Sequence, residues 1–409
     1  GIIATLFSLA LPRFKVIQTL VDRLNQVVRE NLSGLLVTRA FNTQDFEEAR
    51  FDKENKTLTD TNLFVNRTMA AMMPMMMLLM NLITVLIVWV GSYQVSAFKI
   101  DGGQMMAYMQ YVMQIIMAFL MMSMMFIMIP RASVSAVRIA DVLESDPQIK
   151  NRPDALPFSS SEGVLRFDHV SFRYPGAEED VLHDIDFTAK PGETTAFIGS
   201  TGSGKSTIAN LVPRFYDVTE GSITIDGTDI RDMELHSLRS QLGYVPQKAV
   251  LFSGTIDSNL RYADKNATDE EILSGAQIAQ AMEFIESRPE GFETPIAQGG
   301  SNVSGGQKQR LSIARALVKK PQIYIFDDSF SALDFKTDSA LRAALRKETG
   351  GSTVLLIAQR ISTIMDAEQI IVLEAGKIAG KGTHEQLMKS CEVYREIALS
   401  QLSKEELNE

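Results

Sequence analysis

The sequence predicts an α-helical membrane-spanning region followed by an α/β nucleotide-binding domain. Two charge-free stretches in the first 150 residues each exceed the roughly 20 residues that a membrane-spanning helix needs. Further along the chain, Gly199–Thr207 matches the phosphate-loop pattern G-x-x-x-x-G-K-[ST] without a mismatch. Strand signals that alternate with helical stretches surround this loop, which favours a predominantly parallel sheet.

The residues before the first charge-free stretch predict two long helices. The opening stretch Gly1–Pro12 is apolar but too short to cross a bilayer, and it has no initiator Met or basic leader. We interpret it as the remainder of a longer hydrophobic helix and expect the chain to be a fragment. From Arg13 to Arg67, apolar residues recur at helical spacing among charged ones, with a break near Ser33-Gly34.

The two charge-free stretches predict two transmembrane helices joined by a short loop. They run between Arg67 and Lys99 and between Asp101 and Arg131. Basic residues gather at their outer ends, so the positive-inside rule places those ends in the cytoplasm. We therefore expect a multi-pass protein of the cell membrane, in contact with the lipid bilayer, with a cytoplasmic nucleotide-binding domain.

Methionine is concentrated in the same region. Seventeen of the 21 methionines fall between Met69 and Met128. They supply lipid-facing apolar surface, or they line an adaptable cavity for varied hydrophobic ligands. We favour the first interpretation, because a helix rich in methionine is first of all a hydrophobic helix.

Charge and cysteine content exclude several classes of protein. The first 150 residues carry a net charge of +1 and the remaining residues a net charge of −11, within a total of −10. This acidic second part argues against a nucleic-acid ATPase, because phosphate backbones are bound chiefly by clustered Lys and Arg. A single cysteine, Cys391, excludes an internal disulfide and a Cys-based metal site. We expect no nucleic-acid partner.

A Pro- and Ser-rich segment after Asp146 predicts the domain boundary. We expect a partial transmembrane domain at 1–150, a linker at 151–162 and a nucleotide-binding domain at 163–409. A strand at Val164–Tyr174, and then two strands with a turn at Pro191-Gly192, lead to the phosphate loop. Further strand signals lie at Ser222–Ile225, Leu242–Val245, Ile323–Phe326, Val354–Ala358 and Ile370–Leu373.

The phosphate loop predicts a site for a nucleoside triphosphate. A buried strand, Thr194–Ile198, precedes it and a helix, Ile208–Phe215, follows it, which is the context that the motif requires. The glycines leave room for backbone N–H groups to point at phosphate oxygens. Lys205 is expected to reach the β and γ phosphates, and the Ser206 hydroxyl to ligate Mg²⁺. The predicted ATP-binding residues of the loop are Gly199, Ser200, Thr201, Gly202, Ser203, Gly204, Lys205, Ser206 and Thr207.

A second strand is expected to bring a carboxylate to the same place. The apolar stretch Pro321–Phe326 is followed directly by Asp327. The carboxyl end of a parallel strand lies at the edge of the sheet that carries the phosphate loop. Asp327 is therefore predicted to hold the Mg²⁺ shell.

The segment Asn302–Arg310 sets this chain apart from a generic ATPase. Its sequence, Asn-Val-Ser-Gly-Gly-Gln-Lys-Gln-Arg, closely resembles the signature motif of ATP-binding cassette (ABC) proteins. It opens a helix that is expected to run to Val318, so its N–H groups and the helix dipole can bind a second phosphate tail. The predicted nucleotide-binding residues of this segment are Ser304, Gly305, Gly306 and Gln307.

The resemblance to ABC proteins covers essentially the whole chain. By similarity, Tyr174 stacks on adenine, and Gln247 senses the γ-phosphate and Mg²⁺. Asp334 closes the segment Ser-Ala-Leu-Asp, which resembles the loop that links two nucleotide sites. The resemblance implies ATP and Mg²⁺ as cofactors, with the metal held by Ser206, Gln247 and Asp327.

The helices that precede the cassette resemble those of the exporter branch of the family. Residues 1–150 would then be the end of the fourth helix, a cytoplasmic loop with a coupling helix near Leu32–Ala40, and the fifth and sixth helices of a six-helix domain. The implied fold is an α-helical transmembrane domain, present in part, followed by an α/β P-loop ATP-binding cassette domain with a helical subdomain.

Two positions depart from the family pattern, and both bear on hydrolysis. The residue after Asp327 is normally a Glu that polarises the attacking water, but here it is Asp328. A position that normally holds a His in contact with the γ-phosphate is Gln359. A base must lie within hydrogen-bond reach of the water, and a carboxylate shorter by one methylene can lose that reach. Asp328, Gln359, Gln247 and Asp334 are the predicted catalytic residues, with the first two impaired.

The two departures together resemble the degenerate-site subunit of heterodimeric bacterial multidrug exporters. The resemblance implies a half-transporter that binds ATP, supplies its signature motif to a different partner subunit, and exports a hydrophobic small molecule, lipid or peptide. A nucleotide-gated regulator or channel is the alternative from another class. A slow homodimeric exporter and a variant mutated to trap ATP are the remaining alternatives.

Overall fold

The computed structural model describes residues 2–158 and 162–401. The chain divides into two compact units, Gly1–Asp146 and Pro147–Glu409. The serines at 159–161 in the predicted linker, Gly1 and residues 402–409 lie outside the described residues.

The first unit is helical, and Gly34 interrupts its first long helix. The predicted break near Ser33-Gly34 is confirmed, and a short helix follows it before the chain turns back. The helices are α1 (Ile2–Ser33), α2 (Leu35–Ala40), α3 (Gln44–Ala70), α4 (Met72–Ser96) and α5 (Gly102–Leu143). Helix α3 packs against α1, and α4 packs against α5. Arg50 of α3 pairs with Glu30 of α1 at 2.6 Å across the turn between these helices.

Helix α4 exposes large apolar side chains around most of its surface. Leu82, Val85 and Trp89 are each at least 60% exposed. Such a surface is unfavourable in water and is the surface that lipid solvates. Helices α3 and α4 follow each other directly as one helical stretch, Gln44–Ser96. Among the described residues, this is the stretch that is long and apolar enough to span a membrane. The second predicted span corresponds to α5, which starts at a capping box in which Asp101 accepts from the Gln104 backbone N–H at 2.8 Å.

The second unit contains strands and helices in alternation. Its strands are β1 (Leu165–Phe172), β2 (Leu182–Ala189), β3 (Thr194–Gly199), β4 (Glu220–Ile225), β5 (Thr228–Asp229), β6 (Leu242–Val245), β7 (Gly254–Thr255), β8 (Pro295–Ile296), β9 (Ile323–Asp327), β10 (Thr353–Ile357), β11 (Gln369–Glu374) and β12 (Lys377–Gly382). Its helices are α6 (Lys205–Leu211), α7 (Leu235–Ser240), α8 (Ile256–Leu260), α9 (Asp269–Ile278), α10 (Met282–Glu286), α11 (Gly305–Val318), α12 (Phe335–Glu348), α13 (Ile361–Ile364), α14 (His384–Ser390) and α15 (Glu392–Gln401).

The main sheet of this unit has the strand order β12-β11-β3-β10-β9-β6 in the described part of the chain. Every pair is parallel except β11 with β12. The neighbours β3, β10 and β9 therefore end at the same edge. That edge carries the phosphate loop after β3, Asp327 at the end of β9, and Gln359 just after β10. The fold thus gathers three distant segments at one place.

The main sheet is buried on both faces, as a parallel sheet should be. Ile323 and Ile325 of β9 belong to one apolar cluster, whereas Tyr324 and Phe326 belong to the other. The alternation follows from the two-residue repeat of a strand. Rigid packing on both faces holds the carboxyl edge in place.

Two expectations about local structure were wrong. The strand predicted at Ser222–Ile225 lies outside the parallel sheet, because it belongs to β4, which forms an antiparallel sheet of order β2-β1-β4-β5. A hairpin needs only a short loop, whereas a parallel pair needs a long crossover, and no helix separates β1 from β2. The helix after the phosphate loop ends at Leu211 rather than at Phe215, because Pro213 lacks an N–H and Arg214 takes a left-handed conformation (φ 52°).

Candidate functional site

The phosphate loop joins β3 to α6 through backbone conformations that require glycine. Gly204 has φ +96°, and a Cβ there would lie 2.5 Å from Leu182. A Cβ on Gly199 would lie 2.0 Å from the carbonyl oxygen of Leu373. Both glycines are therefore needed for the close approach of this loop to its neighbours.

Lys205 is the first residue of α6 and its ammonium lies inside the loop. Its Nζ donates to the carbonyl oxygens of Gly199 at 2.9 Å and Ser200 at 2.7 Å, and to the Ser203 Oγ at 3.3 Å. Burial lowers the pKa of Lys205, and the charges of Asp328 and Asp327 oppose that shift. The loop thus holds a cation at the point where phosphate charge is expected.

Ser206 and Asp327 meet between α6 and the end of β9. The Ser206 hydroxyl donates to Asp327 Oδ1 at 2.9 Å. Burial raises the pKa of Asp327, and the nearby Asp328 charge adds to the rise. A hydroxyl and a buried carboxylate are hard oxygen donors of the kind that a small divalent cation such as Mg²⁺ prefers. The donors present therefore fit the predicted metal.

Asp328 is buried, and two amide side chains hold its carboxylate. The Gln359 Nε2 donates to Asp328 Oδ2 at 2.6 Å, and the Gln247 Nε2 donates to the same oxygen at 3.2 Å. The backbone N–H of Asp328 donates to the Ile357 carbonyl at 2.9 Å, and its φ is +47°. Three of the four predicted catalytic residues are thus brought together, and the two that depart from the family pattern bond directly to each other.

An open cavity of about 690 Å³ lies beside these groups. It is large enough for a nucleotide. Gln247 and Gln359 reach it, and α15, the last helix of the described residues, forms one of its walls, which the sequence does not predict. The residues that line it include Gly199, Ser200, Thr201, Gly202, Gly204, Lys205, Ser206, Thr207, Gln247, Gln359, Val393, Glu396, Ile397, Ser400 and Gln401.

Tyr174 lies next to the phosphate loop. Its hydroxyl is 3.1 Å from the Thr207 Oγ1, and its ring packs edge-on against Phe172 and Tyr216. Within the described part of the chain, Tyr174 does not line the cavity of the phosphate loop, and its role in adenine stacking stays a prediction.

Asp334 is exposed and caps the N-terminus of α12. Its carboxylate accepts from the Thr337 backbone N–H at 3.0 Å and from the Thr337 hydroxyl at 2.7 Å. The backbone hydrogen bond is the main reason that the pKa of Asp334 is lowered. A capping role accounts for these contacts, and the predicted catalytic role stays a prediction.

The signature residues lie at the N-terminus of α11. Ser304 and Gln307 form a capping box, in which the Gln307 side chain accepts from the Ser304 N–H at 2.9 Å. A Cβ on Gly305 would meet nothing within 4 Å, whereas one on Gly306 would lie 3.2 Å from the Ala332 carbonyl. Within the described part of the chain, these four residues do not line the cavity of the phosphate loop. Gly305 is thus an open surface position at a helix N-terminus.

Comparisons with known proteins agree with this architecture. Two family models match the chain: "ABC transporter transmembrane region" over residues 4–119 and "ABC transporter" over residues 182–331. An uncharacterized ABC transporter ATP-binding protein of Mycobacterium tuberculosis is 43% identical over 401 residues, which are 97% of this chain and 68% of that protein. The chain belongs to the ABC transporter family. It carries both the transmembrane region and the ATP-binding domain of an ABC exporter, and it lies in a membrane with its cassette in the cytoplasm.

Two further relatives place it among exporters. An ATP-dependent lipid A-core flippase of Desulfotalea psychrophila is 36% identical over 365 residues, which are 89% of this chain and 64% of that protein. A solved structure of a bacterial Atm1-family ABC exporter with ATP bound is similar, with a TM-score of 0.82 and 29% identity over 98% of this chain and 72% of that one. Membership of the family implies that the chain binds ATP.

Proposed function

We propose that this ABC exporter chain binds ATP at a site with impaired hydrolysis and supplies its signature motif to the competent site of a different partner subunit. The observation that carries the proposal is the direct hydrogen bond, 2.6 Å long, between Gln359 and Asp328. Both residues differ from the family pattern, and the side chain of each is engaged in a hydrogen bond with the side chain of the other.

A general base must reach the water that it activates. Asp328 is one methylene shorter than Glu, and its Oδ2 accepts from both Gln359 and Gln247. These two donors occupy the oxygen to which the attacking water would have to donate its own hydrogen bond. The carboxylate is short and one of its oxygens is already engaged, so proton abstraction from water is expected to be slow.

The binding part of the site keeps its full set of groups. Lys205 can exchange its three bonds within the loop for bonds to phosphate oxygens, and the loop N–H groups add further donors. Ser206 and Asp327 would hold Mg²⁺, with Gln247 as the third ligand. Bound there, the metal would neutralise phosphate charge. Tyr174 would stack on the adenine. The chain is thus expected to retain ATP rather than to split it.

The signature segment serves the second ATP. Gly305 is open to its surroundings and stands at the N-terminus of α11, where N–H groups and the helix dipole favour phosphate. The site of the partner cassette lacks these donors until the two cassettes meet. In this arrangement the chain with a poor base still contributes to rapid hydrolysis.

The transported compound is proposed to be hydrophobic or amphipathic. The exposed faces of α4 and α5 are apolar and rich in methionine, with Met73, Met77, Met121 and Met125 each more than half exposed. Methionine adapts its shape to varied ligands. The 36% identical relative is named a lipid flippase, which supports a lipid or another amphipathic compound as the cargo.

The test begins with the full-length chain alone in proteoliposomes. It should bind ATP in the presence of Mg²⁺ and turn it over very slowly. Rapid hydrolysis by a verified homodimer would refute the impaired site and leave a homodimeric exporter.

A second measurement adds the partner subunit. ATPase activity that rises with a transported compound supports an exporter, whereas an ATP-dependent ionic conductance without transport would show a gated channel. The mass of the purified complex decides between one kind of subunit and two.

A further inference from the structure

The C-terminal helix α15 lies at the wall of the ATP cavity and ends at the segment that carries Gln359. Val393, Glu396, Ile397 and Ser400 line the cavity along one side of this helix. Its last described residue, Gln401, touches the backbone on either side of Arg360. A helix that forms the wall of the ATP cavity also holds one of its functional segments.

Gln401 makes two hydrogen bonds with opposite polarity. Its Nε2 donates to the carbonyl oxygen of Gln359 at 2.9 Å, and its Oε1 accepts from the N–H of Ile361 at 2.8 Å. A single primary amide thus pairs with a carbonyl and an N–H two residues apart. These bonds fix the backbone that directs the Gln359 side chain towards Asp328.

The next residue of the same segment is held by α12. Arg342 donates to the Ser362 carbonyl at 3.0 Å and is held in turn by Asp338 at 3.2 Å. The segment is therefore fixed between two helices, with α15 nearer to Gln359.

Helix α15 is itself well anchored. Tyr394 and Ala398 are fully buried, and the Tyr394 hydroxyl is 2.7 Å from His384 Nδ1. A rigid support is what a positioning group needs, because a functional side chain must be held to within roughly 0.5 Å.

We propose that Gln401 is a positioning residue of the ATP site, which fixes the backbone at Gln359 and so sets where the side chain at position 359 points. The inference rests on the proposed function of this site. It concerns backbone atoms, so it applies whether position 359 carries Gln or His.

The test uses the full-length chain with its partner and the variant Gln401→Met, which keeps side-chain length and helix propensity but removes both hydrogen bonds. A net hydrogen bond is worth roughly a 2- to 12-fold change in an equilibrium constant, so amide exchange within 359–364 should rise several-fold. Gln401→Glu keeps the acceptor for Ile361 and should protect that amide better than Gln401→Met. Leu399→Met, an exposed position on the same helix, is the matched control and should change nothing.

A functional measurement uses the Asp328→Glu, Gln359→His background with the partner's site silenced. There Gln401→Met should lower kcat several-fold and leave KM within about twofold, because the reacting groups are displaced while ATP contacts remain. Unchanged exchange within 359–364, or raised exchange with unchanged kcat, would overturn the proposal. A general rise in exchange across the cassette together with a lower Tm would assign Gln401 to stability and also overturn it. Rapid hydrolysis by the unmodified site would refute the proposed function alone, because the exchange measurement does not depend on hydrolysis.

Discussion

The phosphate loop and the signature segment both lie at the N-termini of helices and are both predicted to bind phosphate, yet their surroundings differ. The phosphate loop is surrounded by its own chain, and Lys205 is satisfied by three acceptors within it. At the signature end, the Ser304–Gln307 capping box supplies acceptors for the backbone N–H groups of Ser304 and Gln307, and Gly305 faces open space. The first end lies beside a cavity within its own chain, whereas the second is an open surface that, under the proposed function, becomes a site only together with a partner subunit.

This difference implies that damage to the two ends should have different consequences. A change at the phosphate loop, or at Asp328 and Gln359 beside it, affects the ATP that this chain holds. Under the proposed function, a change at Gly305 should affect the ATP that the partner holds.

The largest effect is expected from restoring the family pattern beside the phosphate loop. Asp328→Glu combined with Gln359→His replaces the short carboxylate and removes the amide that now binds it. General-base contributions are commonly roughly 10²–10⁴-fold, so hydrolysis at this site should rise by that order. The ATPase rate is measured in the complex with the partner's own site silenced.

The single variants are the controls for the double change. Asp328 has φ +47°, a conformation that Asp tolerates better than Glu, so Asp328→Glu alone should be slightly destabilising. If the double variant gains no activity, general-base geometry does not limit this site, and the defect lies elsewhere, such as in the partner's signature motif.

The next largest effect is expected at the signature end. Gly305→Asp places a negative side chain where the partner's γ-phosphate should lie. Loss of one charge-stabilising donor costs about 10²–10³-fold in rate, and the ATPase activity of the heterodimer should fall at least that far. A Cβ at Gly305 meets nothing within its own chain, so the variant should fold normally.

Gly351→Asp is a matched control, because a Cβ there also meets nothing within 4 Å. It should leave the steady-state ATPase rate unchanged. Normal activity of the Gly305→Asp complex would show that the signature end of this chain contacts no ATP.

A smaller effect on turnover is expected from Lys205→Ala. The variant removes a charge-assisted contact, commonly worth about 1.5–3 kcal/mol, from the ATP held by this chain. Nucleotide affinity at this site should fall by roughly 10- to 100-fold, while much of the ATPase activity of the complex persists. Lys381→Ala, at an exposed position of strand β12, should alter neither quantity. If Lys205→Ala lowers turnover as much as Gly305→Asp does, the assignment of this chain as the degenerate-site subunit is wrong.

Much of this architecture could be predicted from the sequence, because its signals are local. The phosphate loop needs a strand, a turn and a helix in succession, and the chain provides all three around Gly199–Thr207. In the same way, a glycine marks the break at Gly34, and a short apolar run marks the strand Leu242–Val245. The capping box at Ser304 is visible as Ser followed three residues later by Gln.

The remaining features depend on contacts between distant segments. No pattern near position 401 indicates that its amide binds backbone next to Gln359, about 40 residues away. The pairing of β1 with β2 in a separate antiparallel sheet depends on tertiary packing. The alternation of apolar and polar residues predicts a strand, but it does not decide which sheet the strand joins. The direct bond between Asp328 and Gln359 is of the same kind, since the sequence marks both residues as unusual but not as partners.

The smallest effect is expected at Asp327, and it concerns stability. Burial raises the pKa of this carboxyl above its ordinary value of 3.8, so the folded chain binds this proton more tightly than the unfolded chain does. The contribution of Asp327 to stability therefore falls as the pH rises from below 3.8 through the raised pKa, and at neutral pH the buried charge is destabilising.

Asp327→Asn removes that charge and keeps an oxygen that can accept from Ser206. The Tm of the nucleotide-free chain should rise at neutral pH, by roughly 2–4 °C for a gain of about 1 kcal/mol in a domain of this size. The gain should disappear in acid, where Asp327 is already protonated. The same variant should lose the stabilisation that ATP with Mg²⁺ gives the wild-type chain, because one metal-binding oxygen has lost its charge. Thermal unfolding at several pH values, with and without ATP and Mg²⁺, measures both effects, and the exposed Asp154→Asn serves as the control. A lower Tm at neutral pH would mean that the charge of Asp327 stabilises the folded chain through Lys205 more than its burial destabilises it.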